Sequence, residues 1–148
     1  MKTTIELKGT DALFKKFKAY GKQGEKDFAD ITRNAAEDIR ALALIKVPRD
    51  TGELSNNIFY EKVNRFVYKI FVNLNKAPYG PFVEFGTGGK VDIPKGWERL
   101  AATFKGKGIK KINLPARPYL YPAFRDGSAQ YLKDLKSVLK QLSNKFNR

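Results

Sequence analysis

One apolar stripe, over residues 25–47, constrains this chain more than any other feature. Phe28, Ile31, Ala35, Ile39 and Leu42 recur at steps of three and four, the spacing that lines one face of an α-helix. Asp27, Asp30, Arg33, Asn34, Glu37 and Arg40 fall mostly off that face. Pro48 cannot continue a helix, so the pattern ends near Val47. A long amphipathic helix follows, and the rest of the chain must cover its apolar side.

The flanking segments suggest what covers it. Residues 3–7 alternate polar and apolar and read as a short strand, broken by Gly9-Thr10-Asp11. Residues 12–20 begin a helix with Leu13 and Phe17 four apart, and Gly21 and Gly24 interrupt its pattern. Residues 58–63 and 66–74 alternate and are rich in β-branched and aromatic side chains, which predicts an antiparallel hairpin across Asn64-Arg65. Residues 78–85 form a mixed aromatic segment, a short helix or turn. A second amphipathic helix carries Leu132, Leu135, Val138 or Leu139, Leu142 and Phe146 on one face. The order predicts an α+β fold: a small antiparallel sheet with a long N-terminal helix and a C-terminal helix packed on one face. The 148 residues fit a single domain, 1–148, without internal repeats.

Between the aromatic segment and the last helix, residues 87–113 carry six glycines or prolines among scattered lysines. This predicts an extended basic loop with one helical turn around residues 97–104. Its cations are Lys90, Lys95, Arg99, Lys105, Lys107, Lys110 and Lys111, against Asp92 and Glu98. The whole chain has 29 Lys and Arg against 15 Asp and Glu, a net charge of +14. Such a surface attracts nucleic acid, anionic membranes or acidic proteins, but its lysines are scattered rather than blocked, as on a generally solvated face.

Much chemistry is excluded by residue type. The chain has no Cys and no His, so it lacks a disulfide framework, a thiol nucleophile, the commonest general base and the commonest zinc ligand. The first seven residues form no apolar signal core, and no apolar run approaches the roughly 20 residues of a membrane span.

Three segments mimic catalytic motifs. Asp50-Thr51-Gly52 spells the aspartic-protease triplet, yet Pro48-Arg49 precede it where an apolar strand is needed. Asp50, Thr51, Gly52 and Glu53 read better as a structural turn, a capping-box-like start to a short helical turn. Gly86-Thr87-Gly88-Gly89-Lys90 resembles a phosphate loop, but Glu84 stands where the first glycine belongs and Val91 where a hydroxyl must hold magnesium. Glu84, set among Phe82, Val83 and Phe85, has no second carboxylate nearby in sequence for acid–base work. It reads as a charged contact at a subunit interface or as an exposed edge residue. No cofactor and no small-molecule substrate are expected.

Trp97 and Phe104, interleaved with the loop cations, allow two readings. Aromatics can stack on bases while lysines track phosphates, giving a basic nucleic-acid-binding domain. Alternatively the loop docks on a neighbouring subunit with Trp97 as its apolar anchor. No helix-turn-helix or zinc spacing supports the first.

Three segments in order carry a family resemblance: residues 47–58 (Val-Pro-Arg-Asp-Thr-Gly-Glu-Leu-Ser-Asn-Asn-Ile), 77–87 (Ala-Pro-Tyr-Gly-Pro-Phe-Val-Glu-Phe-Gly-Thr) and 115–124 (Pro-Ala-Arg-Pro-Tyr-Leu-Tyr-Pro-Ala-Phe). With the long helix before them, they resemble the "gene product ten" family of lambda-like siphophages, the minor tail, tail-completion or neck proteins. Gly80-Pro81 stands where a small residue such as Ala is usual, and Tyr119 replaces the usual Phe. The resemblance implies a non-enzymatic virion protein at the head–tail junction, assembled in the bacterial cytoplasm. It also implies a homo-oligomeric ring, whose partners are connector and tail proteins. The positive charge then faces DNA in the ring's lumen or an acidic neighbour.

A closed ring needs two different patches per subunit. The candidate contact residues are Tyr79, Phe82, Val83, Glu84, Phe85, Trp97, Arg117 and Tyr119, with the basic loop as the second patch. Tyr79, Phe82, Val83 and Phe85 are too apolar for a free loop and either pack against the sheet or form such a contact. Pro118 stiffens the backbone beside Arg117, whose planar guanidinium suits a carboxylate, and Glu84 is its candidate partner.

Overall fold

The computed structural model describes residues 10–48, 52–93 and 110–147, with the isolated positions 98, 102 and 108. The strand expected at residues 3–7 lies outside the described residues. The elements in order are α1 (Thr10–Lys18), α2 (Gly21–Lys46), a 3-10 turn (Ser55–Asn57), β1 (Ile58–Asn64), β2 (Val67–Val72), α3 (Gly80–Phe85), β3 (Val91–Asp92), β4 (Lys111–Ile112) and α4 (Leu120–Phe146). The α+β class read from the sequence is what forms.

The glycines that interrupt the helical pattern are where the first two helices meet. Gly21 has a φ of +66° and turns the chain from α1 into α2. Gly24 lies within α2, and a Cβ there would collide with the Phe17 carbonyl oxygen of α1. The missing side chain lets α1 fold back against α2 and bury Phe17 completely.

Along α2 the buried face is Phe28, Thr32, Ala36, Ile39 and Ala43, with Ile31, Ala35 and Leu42 half-buried beside it. The face is centred about one residue further on than the apolar stripe suggests. The cause is α4, which runs antiparallel along α2 and meets it through small side chains. Ala123, Gly127 and Ser128 are buried, and a Cβ on Gly127 would strike the Ile39 side chain. Thr32 fits there because its hydroxyl is satisfied: it donates to the Phe28 carbonyl at 2.7 Å and shares a 2.8 Å hydrogen bond with the Tyr131 hydroxyl. Further along, Leu135 and Leu142 of α4 close a second core around Phe17 and Phe28.

The β1–β2 hairpin is antiparallel, with Ile58 opposite Val72, Phe59 opposite Phe71 and Tyr60 opposite Ile70. The face of Ile58, Ile70 and Val72 joins the core beside Ile39 and Ala43 of α2. Arg40 Nε donates to the Ile58 carbonyl at 2.8 Å and the Tyr60 hydroxyl to Glu37 at 3.1 Å, tying the strand to α2. The turn falls on Arg65-Phe66, one residue later than expected, because the Asn64 side chain accepts the Phe66 N–H at 2.8 Å. Phe66 then reaches back onto Phe14, with ring centroids 4.7 Å apart.

The segment read as an extended loop is closed at its base. Val91 pairs with Ile112 and Asp92 with Lys111 in the two-residue ladder β3–β4. Of the helical turn expected inside it, Glu98 and Ala102 are helical, and Trp97 and Phe104 lie outside the described residues.

Candidate functional site

Two of the motif segments, residues 77–87 and 115–124, form one clamp, with Leu114 beside them. Its centre is Glu84 on α3, only 7% exposed. Helix α4 begins at Leu120 with no capping side chain of its own, since Tyr119 occupies the cap position. Glu84 supplies the cap from across the fold. Its Oε2 accepts the backbone N–H groups of Tyr119 (2.9 Å) and Leu120 (2.8 Å), and its Oε1 accepts that of Tyr121 (2.9 Å). The first N–H groups of a helix lack internal partners and carry a partial positive charge, so a buried carboxylate is stabilised there. Pro122 fits the first turn of α4, where an N–H is dispensable.

The clamp is closed by further bonds. The Tyr119 hydroxyl, 1% exposed as a residue, donates to the Gly80 carbonyl at 3.1 Å. The Arg117 N–H donates to the Val83 carbonyl at 2.7 Å, and Thr87 and Leu114 exchange bonds of 3.0 Å through the Leu114 carbonyl and the Thr87 hydroxyl. Gly86 ends α3 with φ +73° and ψ 178°, a region essentially restricted to glycine. A Cβ on Gly86 would also lie 2.8 Å from the Ala116 nitrogen.

The expected contact residues therefore divide. Tyr79, Val83, Glu84 and Tyr119 are buried in the chain's own core; for Tyr79 and Val83 this is the packing alternative, while Glu84 and Tyr119 depart from their reading as exposed contacts. Burial has a physical reason in each case: Val83 and Tyr79 pack against the sheet side, and the Glu84 and Tyr119 polar atoms are satisfied internally. Nor is Glu84 an exposed edge residue. Phe82 and Phe85, on the other side of α3, are 39% and 53% exposed, and Arg117 is exposed as well. Trp97 lies outside the described residues.

Among the loop cations, Lys90, Lys110 and Lys111 are exposed around the β3–β4 ladder. Lys95, Arg99, Lys105 and Lys107 lie outside the described residues, as do Asp50 and Thr51 of the expected turn. Gly52 has φ +77°, its carbonyl accepts the Asn56 N–H at 2.9 Å, and Glu53 accepts the Tyr79 hydroxyl at 3.5 Å. These two residues hold the turn against the clamp.

Sequence reasoning passed over two exposed groups. Tyr121, 53% exposed, directly follows the capped residues. The hairpin's outer face presents Phe59 (38%), Val63 (58%) and Val67 (46%), with Phe59 and Phe71 rings 6.0 Å apart and the Lys69 ammonium 4.9 Å from the Phe71 ring. The signal was there in part, since Phe59-Tyr60 breaks the apolar–polar alternation of a half-solvated strand. Among the described residues, β1 and β2 pair only with each other.

Burial, with the Glu84 carboxylate beside it, holds the Tyr119 hydroxyl above the ordinary tyrosine range. A raised tyrosine leaves stability intact below about pH 10 and withdraws it as pH climbs past that value, because only the unfolded chain ionises there. Denaturant titrations at rising pH are expected to show this alkaline loss, with a shallower slope for Tyr119→Phe. Identical slopes would contradict it.

Among the described residues no group of three His, Cys, Asp or Glu side chains is placed to hold a metal, and no helix is long and apolar enough to cross a membrane. The family described as "Bacteriophage HK97-gp10, putative tail-component" matches residues 11–86, just over half of the chain. No curated protein and no solved structure matches.

Proposed function

We propose, from the premise that this chain belongs to the HK97-gp10-like family of bacteriophage tail components, that it is a ring-forming neck or tail-completion protein joining the tail to the head connector. Family membership makes it a structural phage protein of the virion. The finer reading adds a homo-oligomeric ring, connector and tail partners, and no catalysis.

One observation carries the ring: each subunit exposes two unlike apolar patches. The first is Phe82, Phe85 and Tyr121 on the clamp, and the second is the outer face of the hairpin, with Phe59, Val63 and Val67. A closed ring requires such a pair of different, complementary surfaces. Exposed aromatics seated on a satisfied, buried scaffold lose little conformational freedom on docking. The hairpin gains from an added neighbour, since a two-stranded sheet is marginal by itself.

Light scattering coupled to size-exclusion chromatography tests this. The purified chain is expected to run as a single closed oligomer, alone or on a connector ring, and Phe85→Glu to reduce it to monomer with unchanged circular dichroism. A wild-type chain that stays monomeric and ignores connector and tail proteins would overturn the reading.

A further inference from the structure

Beyond the basic loop, α4 carries a row of cations of its own. Helix α4 packs its apolar side on α2 and α1 and leaves one exposed stripe over its last five turns. That stripe consists of Ala129, Lys133, Lys136, Ser137, Lys140 and Asn144, all exposed. The three lysines follow at steps of three and four, over about 10 Å of helix. No carboxylate lies on the stripe beyond Asp126, which is already engaged by Arg125 and Lys46. Asp134 lies to one side and accepts a hydrogen bond from Gln130 at 2.9 Å.

The same end of the molecule gains more charge from α1. Phe17 packs against Leu135 and Leu142, and Tyr20 against Phe146 at 5.4 Å. This contact sets α1 on the apolar side of α4, opposite the stripe, and leaves Lys15, Lys16 and Lys18 exposed on α1 as a separate group. Among the described residues, none of Lys15, Lys16, Lys133, Lys136 and Lys140 enters an ion pair. Along α4 this leaves a row of three lysines with no neutralising carboxylate on the same face.

Its composition selects the partner. The stripe has no exposed aromatic, so it offers no platform for unpaired bases. It has no apolar side chain larger than Ala, so it offers neither an anchor for a protein partner nor an inserting face for a lipid surface, the apolar side of α4 being spent on α2. What remains is a row of flexible ammonium groups, suited to neutralising phosphates without reading bases. Ten ångströms of duplex axis carries about six phosphate charges. We infer that the stripe of Lys133, Lys136 and Lys140 on α4 binds the phosphate backbone of duplex DNA, independently of sequence. This goes beyond the ring proposal and does not depend on ring closure.

Fluorescence anisotropy with a mixed-sequence DNA duplex, titrated by the full chain over a range of salt, tests it. Two charge-matched variants are compared: Lys133→Gln/Lys136→Gln/Lys140→Gln on α4, and Lys90→Gln/Lys110→Gln/Lys111→Gln at the loop base. The α4 variant is expected to weaken binding at least about tenfold near physiological salt and to reduce the slope of log K against log salt by about 2–3. The loop variant is expected to change affinity by less than about threefold, while both retain wild-type circular dichroism and oligomeric state. Equal losses in the two variants would show a response to net charge alone and overturn the inference. It is overturned equally if the loop variant is the weaker, if wild type does not bind duplex at low salt, or if single strands or anionic vesicles bind more tightly. If the chain proves monomeric while the α4 variant alone loses DNA, the ring proposal falls and this inference stands.

Discussion

Glu84→Ala is expected to lower the free energy of unfolding by roughly 3–5 kcal/mol. The carboxylate is 7% exposed and accepts three backbone N–H groups at the start of α4. Removing it leaves those donors in a space that water enters poorly, and unsatisfied buried donors cost about 1–3 kcal/mol each. Glu84→Gln keeps one carbonyl acceptor and loses the charge that favours a helix N-terminus, so its loss is expected to be about half as large. Urea titration measures both. Hydrogen exchange supplies a second readout, because the amides of Tyr119, Leu120 and Tyr121 lose protection before those in the middle of α4. A loss under about 1 kcal/mol for Glu84→Ala would show that the cap is dispensable.

Gly24→Ala is expected to cost roughly 2–4 kcal/mol, against the sign that helix propensity gives. Ala is favoured over Gly inside a helix by about 1 kcal/mol, and on an isolated helix this substitution would stabilise. Here the added Cβ collides with the Phe17 carbonyl oxygen of α1. Backbone is not free to move aside as a side-chain tip is, so α1 must lift and uncover Phe17, which sits at 0% exposure. Thermal unfolding followed by far-UV circular dichroism distinguishes the two terms. A raised midpoint for Gly24→Ala would mean that propensity wins and α1 is not held closely on α2.

These two residues also mark where the sequence was legible and where it was not. The long helix, the hairpin and the C-terminal helix all follow from periodicity, because Phe28, Ile39, Leu135 and Leu142 are large and recur on one face. Gly24, Thr32, Ala36 and Gly127 could not be read that way. Their contribution is the absence of side chain at a helix crossing, or a hydroxyl satisfied by Tyr131, and neither raises the apolar count. Glu84 is the instructive case. Its apolar neighbours are compatible with burial, but no partner stands near it in sequence, since its ligands lie 35 to 37 residues away on the backbone. Backbone donors are invisible to any inspection of side-chain types. The exposed aromatics were read in part: Phe82 and Phe85 were picked out, while Tyr121 passed as part of a helix entry. The hairpin's outer face is less legible because an alternating strand is read as having one solvated face, whereas Phe59, Val63 and Val67 are exposed apolar side chains here.

The central claim, that this tail component joins tail to head, is tested most directly by complementation in vitro. A phage carrying a stop codon in the gene for this chain is expected to accumulate filled heads and tails that remain apart. Adding the purified wild-type protein to that extract is expected to restore joined, infectious particles, while Phe85→Glu restores few. Joined particles in the extract lacking the protein, or heads and tails that stay separate after it is added, would contradict the account.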